Sequence, residues 1–223
     1  MRWLHRLERK LGYNFGIDNL MMYVSATMLA VYMLTLMIMP PLMGMMAFHR
    51  GLFLQGEVWR IFTFVLLPPQ PGQSPIWVLL SLFILYRIGG SLEQTWGKTR
   101  FTLYVILGII GAIISGFITG FGVNTYVYLS FILAFCYMFG NATFLLFFVL
   151  PVKAKWIAVF IWAGFAWAFI WGNFVSRVAI IFSLINFFIF FGPDILQDVR
   201  QTYHAARRRR EYRKNWGNNN PWR

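Results

Sequence analysis

Apolar residues run along this chain in long blocks separated by short polar seams. Six blocks read as membrane-spanning helices, at about 18–41, 74–96, 101–121, 124–139, 154–172 and 175–192. A helix rising 1.5 Å per residue needs about 20 residues to cross a bilayer core, so the fourth and sixth are slightly short. Two further apolar stretches are too short to cross. One is 48–69, which carries Glu57, Trp59 and Arg60 ahead of "IFTFVLLPP". The other is "ATFLLFFVLP" at 142–151, just before the fifth span. The seams carry turn chemistry: "PPQPGQSP" before the second span, "GKTR" before the third, and Gly192-Pro193, which is expected to close the sixth. The pattern predicts an all-α polytopic membrane protein.

Composition agrees. Of 223 residues, 59% are hydrophobic and 12% charged, about half the charged share of a soluble domain. Ten Trp and ten Tyr suit interfacial belts. The first apolar block is long and lacks a small-residue cleavage site, so it is read as an uncleaved first span. The single cysteine, Cys136, excludes an internal disulfide.

Net charge is +13. The cations sit in the tails and short loops, which favours membrane orientation and contact with anionic lipids over nucleic acid. The basic segments are the leader (Arg2, Arg6, Arg9, Lys10), Lys98 with Arg100, Lys153 with Lys155, and a tail holding Arg200, 207–210, Arg213 and Lys214. The alternate loops hold Arg50 and Arg60, none, and Arg177. This alternation fits six spans with both ends cytoplasmic, and it puts 48–69 outside. Residues 1–16 read as an amphipathic surface helix or, equally, as a solvated basic leader. Residues 17–193 form the membrane domain. Residues 194–223 read as a basic cytoplasmic tail, a short helix fraying into disorder.

Three pieces together resemble the rhomboid superfamily. They are "GEVWRIFTF" at 56–64, "GGSLEQTWG" at 89–97 and "LPVKAKW" at 150–156. The residues that carry the likeness are Glu57, Trp59 and Arg60; Gly89, Leu92, Glu93 and Gly97; and Pro151, Lys153, Lys155 and Trp156. The resemblance implies a rhomboid-like bundle of six helices with a membrane-embedded first loop at 48–69. It also implies a bacterial cell membrane, and no cofactor or metal. The chain is most similar to a non-catalytic bacterial branch, and distantly to derlins.

Rhomboid proteases use a serine in Gly-x-Ser-Gly in the fourth span and a histidine in the sixth. A His and an Asn of the second span help to hold the oxyanion. Here the only histidines are His5, His49 and His204, none of them in the sixth span. Ile180 falls at the histidine position, with Phe182 and Ser183 where small glycines are usual. Thr125 falls near the serine. Ser130 is the nearest serine, about one and a half turns deeper, and its hydroxyl is expected to bond back to its own helix. Trp77 and Ser81 fall at the oxyanion His and Asn. The resemblance therefore implies a pseudoprotease that binds or handles other membrane proteins without cleaving them. Asn124, Thr125, Tyr126, Tyr128, Ser130, Ser176 and Asn186 are candidates to line a polar outer cavity for such clients.

Two alternatives stay open. One is an atypical intramembrane serine peptidase using Ser130 or Thr125. The other is a structural or assembly subunit that recruits a partner through the basic tail. None of the seven acids is read at mid-span and there is no His-Glu-x-x-His, which argues against aspartyl and zinc chemistry. No mid-membrane charge is read that would argue for a transporter. Oligomeric state stays undetermined.

Several residues have a physical reading of their own. Glu93, near a span end, must be paired or wet, with Lys98 and Arg100 as candidate partners. Gly108, Gly111, Gly116 and Gly120 put small residues along the third span for packing within the bundle. Trp59 suits headgroup depth. Arg60 is expected to snorkel to phosphate or to pair with Glu57 three residues away.

The orientation is testable with cysteines placed in a Cys136→Ala background. A membrane-impermeant maleimide is expected to label Gln55→Cys on intact cells, and Thr99→Cys only after lysis. The reverse pattern would contradict the loop-charge assignment.

Overall fold

The computed structural model describes residues 16–39, 41–69, 74–146 and 150–218. The expected surface helix of the leader and the last five residues lie outside the described residues. The elements are α1 (Leu20–Met37), α2 (Leu42–Met46), α3 (Arg50–Leu54), α4 (Arg60–Thr63) running into a 3-10 turn (Phe64–Leu66), α5 (Pro75–Trp96), α6 (Lys98–Thr119), α7 (Thr125–Met138), β1 (Thr143–Leu146), β2 (Leu150–Lys153), α8 (Ala154–Trp171) and α9 (Phe174–Asn218). Among the described residues, five helices are long and apolar enough to cross a membrane: α1, α5, α6, α8 and α9.

Local chemistry sets the boundaries. Pro75 opens α5 at a first-turn position, where its locked φ fits and its missing N–H costs nothing. Gly97, at φ 83°, turns the chain so that α6 begins one residue later. Gly120 ends α6 at φ 90° and donates its N–H to the Gly116 carbonyl.

The helix α7 has 14 residues, so it is about 21 Å long against a bilayer core of about 30 Å. It lies inside the bundle, packed on α5, α6 and α8. Ser130, Phe131 and Ala134 have no exposed surface. Neighbouring helices, rather than lipid, cover most of its short length.

Two parts of the chain differ from the sequence reading. The stretch 142–151, read within an all-α chain as an apolar run too short to cross, holds β-strands among its described residues. It contributes to an antiparallel hairpin in which Thr143 faces Lys153 and Leu146 faces Leu150. A run too short to span leaves backbone groups unpaired as a helix end would, and strand pairing satisfies them. The last helix does not close at Gly192-Pro193 but continues through Pro193 to Asn218. A proline removes one helical hydrogen bond and kinks the helix. The Ala, Arg and Glu residues that follow are strong helix formers, and Arg207 pairs with Glu211 one turn on at 3.0 Å. The chain divides into a unit of residues 1–187 and a unit of residues 188–223.

Glycines mark where helices approach closely. A Cβ on Gly89 would lie 2.0 Å from Met21 Cγ, so α1 and α5 meet there. A Cβ on Gly108 would lie 3.0 Å from Val127 and 3.1 Å from Asn186, one on Gly111 would meet Phe182, and one on Gly116 would lie 2.9 Å from the Phe48 ring. Gly120 departs from the expected packing role: a Cβ added there would meet nothing within 4 Å, and its function is the left-handed cap.

Gly89→Ala is expected to lower stability by about 1–3 kcal/mol through overpacking against Met21. Gly164→Ala in α8 meets nothing within 4 Å, so it should be neutral or gain up to about 1 kcal/mol from helix propensity. Thermal unfolding in detergent distinguishes them, and equal shifts would contradict the contact.

Candidate functional site

The segment between α1 and α5 is built around Arg60. Its side chain is 6% exposed. Nε donates to Glu57 Oε2 at 2.5 Å, and Nη1 donates to the carbonyls of Gly44 at 2.6 Å and Ala47 at 2.7 Å. Of the two expectations for Arg60, the pairing with Glu57 is the one the structure shows, and the guanidinium turns inward to carbonyls instead of snorkelling to phosphate. The end of α2 leaves carbonyls without helical partners, and a guanidinium is the side chain best able to serve several at once. Thr63 adds a hydrogen bond to the Met46 carbonyl at 3.1 Å. Trp59 is half exposed.

The same segment is tied to the junction of α6 and α7. His49 and Phe121 form an antiparallel bridge. The Arg50 N–H donates to Gly120 O at 2.9 Å, and the Gly122 N–H to Phe48 O at 3.0 Å. The Arg50 guanidinium reaches Phe117 O at 3.0 Å. Phe48 is buried in a cluster with Phe53, Phe64 and Phe117. A Cβ on Gly122 would lie 2.7 Å from Phe48 Cβ, so only glycine lets this cluster close. The His49 ring sits edge-on to Phe121 at 4.9 Å.

A third tie comes from the start of α7. The Asn124 amide donates to Phe64 O at 3.0 Å and Leu67 O at 2.9 Å, with Val65 O at 3.4 Å. The Thr125 hydroxyl donates to Pro69 O at 2.8 Å, and the Tyr128 hydroxyl to Val65 O. These groups do not line an open polar cavity, as the sequence reading expected, because they satisfy the carbonyls of the 3-10 turn and its exit. The void left beside them is about 20 Å³, walled by Met21, Val24, Val65, Val105 and Phe131 among others. That is room for about one water, without the polar partners a water needs.

The positions that the sequence resemblance set against a serine and its helpers are also committed to other contacts. The Ser130 hydroxyl donates to Val127 O at 2.7 Å and accepts from the Tyr104 hydroxyl at 3.2 Å. Ile180 is buried in the core. Ser183 donates to the Tyr126 carbonyl. Trp77 is half exposed, and Ser81 donates to Val78 O at 2.8 Å. Asn186 donates to Tyr104 O at 3.2 Å, and its own carbonyl oxygen is buried without a partner. Ser176 takes part through its backbone N–H, which donates to Asn173 Oδ1.

Each position of the Gly89, Glu93, Gly97 spacing has its own task. Gly89 and Glu93, four apart on one face of α5, both meet the start of α1. Glu93 Oε1 accepts the Asn19 N–H at 2.6 Å. It thus satisfies a free donor at a helix N-terminus, where the helix dipole also favours an anion. Asn19 has φ 56°, a left-handed conformation that asparagine tolerates. Lys98, one of two candidate partners for Glu93, pairs with Asp18 at 3.3 Å. The Ile17 N–H donates to Thr102 Oγ1 at 3.2 Å. Leu92 is fully buried, and Gly97 makes the turn into α6. In 150–156, Pro151 faces Leu145 in the hairpin. The N–H groups of Ala154 and Lys155 donate to Ala142 O and Gly140 O. Lys153, Lys155 and Trp156 are exposed.

The sequence reading missed Arg87. It lies inside α5, nine residues before Trp96, and is exposed. Sorting charges by loop passed over it, although a lone cation inside a 22-residue apolar helix is itself a signal. It borders a polar cavity of about 90 Å³ shared with Asn19, Tyr86, Ser91, Glu93 and Gln94.

These features define an α-helical multi-pass membrane protein in which a short-helix segment is bolted to the bundle. No protein-family model matches the chain, and no curated protein matches it.

Arg60→Ala leaves Glu57 and two carbonyls without their donor, and is expected to cost about 2–4 kcal/mol. Asn124→Ala should cost about 1–3 kcal/mol. Trp59→Ala should cost under about 1 kcal/mol, because half the ring is already exposed. Unfolding in a detergent series checks the order, and a Trp59 effect exceeding that of Arg60 would contradict it.

Proposed function

We propose that the protein is a rhomboid-like pseudoprotease that holds segments of other membrane proteins without cleaving them. The observation that carries this reading is the commitment of its hydroxyls. Ser130 donates into its own helix and Thr125 to Pro69 O, so each proton that a general base would remove is already engaged. Among the described residues, His49 packs on Phe121 and Ile180 occupies the core position aligned with the family's histidine. An unassisted hydroxyl is a weak nucleophile.

The surface for a client is α8. Its spanning window is 11% buried, against 28–50% for the other candidate spans. It presents Phe160, Trp167, Ile170 and Trp171 outward. With 18 residues, about 27 Å, the exposed α8 is itself slightly short for a bilayer core of about 30 Å, which favours local thinning and lowers the cost of accepting a span with helix-breaking residues.

The test uses a single-span reporter carrying a Gly-Pro break, with an all-leucine span as control, and a photocrosslinker at Phe160. The expected result is capture of the broken span, intact, in preference to the control. Reporter cleavage that disappears in Ser130→Ala would make the protein a peptidase. Equal capture of both spans would remove client selection.

A further inference from the structure

The polar cavity at the start of α1 and the last turns of α5 has no part in the reading above. Its wall carries two unlike charges. Arg87 brings a guanidinium that has no ion-pair partner among the described residues. Glu93 brings a carboxylate with one oxygen used: Oε1 holds the Asn19 N–H, and Oε2 is buried without a partner. Each is costly to leave unmatched at the edge of a bilayer. They are six residues apart on α5, so they do not share a helix face and do not neutralise one another directly. Ser91 donates its hydroxyl to the Arg87 carbonyl and leaves its oxygen as an acceptor, while Gln94 and Tyr86 add polar groups at the mouth.

A ligand that answers both charges must carry an anion and, a few ångströms away, a cation with N–H donors. We propose that this cavity binds a phosphoethanolamine headgroup. Its phosphate sits on Arg87 and its primary ammonium donates to Glu93 Oε2. A guanidinium matches phosphate geometry with paired N–H donors. The position suits a lipid. Arg87 is set in a span and borders the cavity near the end of α5, where an arginine can draw a phosphate to the interface. Related headgroups fail on chemistry. Choline's quaternary ammonium has no N–H for Oε2. Glycerol has no cation, and a serine headgroup sets a second carboxylate against Glu93.

The test is native mass spectrometry of the full chain released from nanodiscs containing equal parts of phosphatidylethanolamine and phosphatidylcholine. The wild type is expected to retain the ethanolamine lipid about tenfold over the choline lipid, the size of one charge-assisted hydrogen bond. Glu93→Gln keeps the acceptor for Asn19 but loses the charge, and should bring the two lipids to equal retention. Arg87→Gln should lower retention of both. Thermal unfolding of each variant separates loss of the site from loss of fold. Competition with millimolar glycerophosphoethanolamine distinguishes the sources: displacement identifies the soluble headgroup as a sufficient ligand, and retention identifies the acyl-bearing lipid. Equal retention of the two lipids by the wild type, or an ethanolamine preference that survives Glu93→Gln in a folded protein, overturns the proposal.

Discussion

The arrangement at the α6–α7 end of this protein depends on one buried guanidinium. Arg60 gathers Glu57 and the freed carbonyls of Gly44 and Ala47, and so closes α2, α4 and the chain between them into one piece. A buried cation is expensive unless it is paired and hydrogen-bonded. Here a carboxylate answers Nε and two carbonyls answer Nη1. With that piece formed, the other ties become possible. The Phe48 cluster seats against Gly116 and Gly122, the His49–Phe121 bridge aligns, and the carbonyls of the 3-10 turn meet Asn124 and Tyr128. Remove the guanidinium, and the ring cluster, the bridge and the carbonyls of the 3-10 turn lose the piece that holds them in place against the α6–α7 junction.

A second junction works by the same logic at the other end of α5. Backbone donors at the start of α1 need an acceptor, and Glu93 supplies it across the space that Gly89 keeps open. Both junctions use a charged side chain to satisfy main-chain groups where a helix ends inside or beside a membrane. That constraint is stronger there than in water, because no solvent substitutes for a missing partner. It explains why charges in a chain so poor in them stand beside glycines and helix ends.

Much of the fold was legible from the chain. Long apolar blocks gave the helices α1, α5, α6 and α8 to within a few residues, because length and hydropathy set those limits directly. Gly97 marked its turn for a physical reason visible in the letters. The hairpin at 143–153 was not legible, because an apolar run of that length has no period that separates strand from helix. The helix through Pro193 was hidden because a proline signals a stop, while the helix-forming residues beyond it restore the helix. In the site, the Glu57–Arg60 pairing was within reach of the sequence, since three residues on a turn bring them together. The partners Gly44 and Ala47 were not, because carbonyls carry no sequence signature. The polar groups of α7 looked like a cavity lining for the same reason: nothing in Asn124 or Thr125 reveals a backbone acceptor nearly sixty residues away. Arg87 was legible and was overlooked by sorting charges only into loops.

The central claim is that the 41–69 segment is fixed to the bundle through Arg60 rather than poised as a mobile cover. Hydrogen–deuterium exchange of the detergent-solubilised protein tests it most directly. The amides of 60–67 and 120–122 should be protected together in the wild type. Arg60→Ala should release both sets while α6 stays protected. Fast exchange of 60–67 in the wild type, or protection there unchanged by Arg60→Ala, would contradict the account.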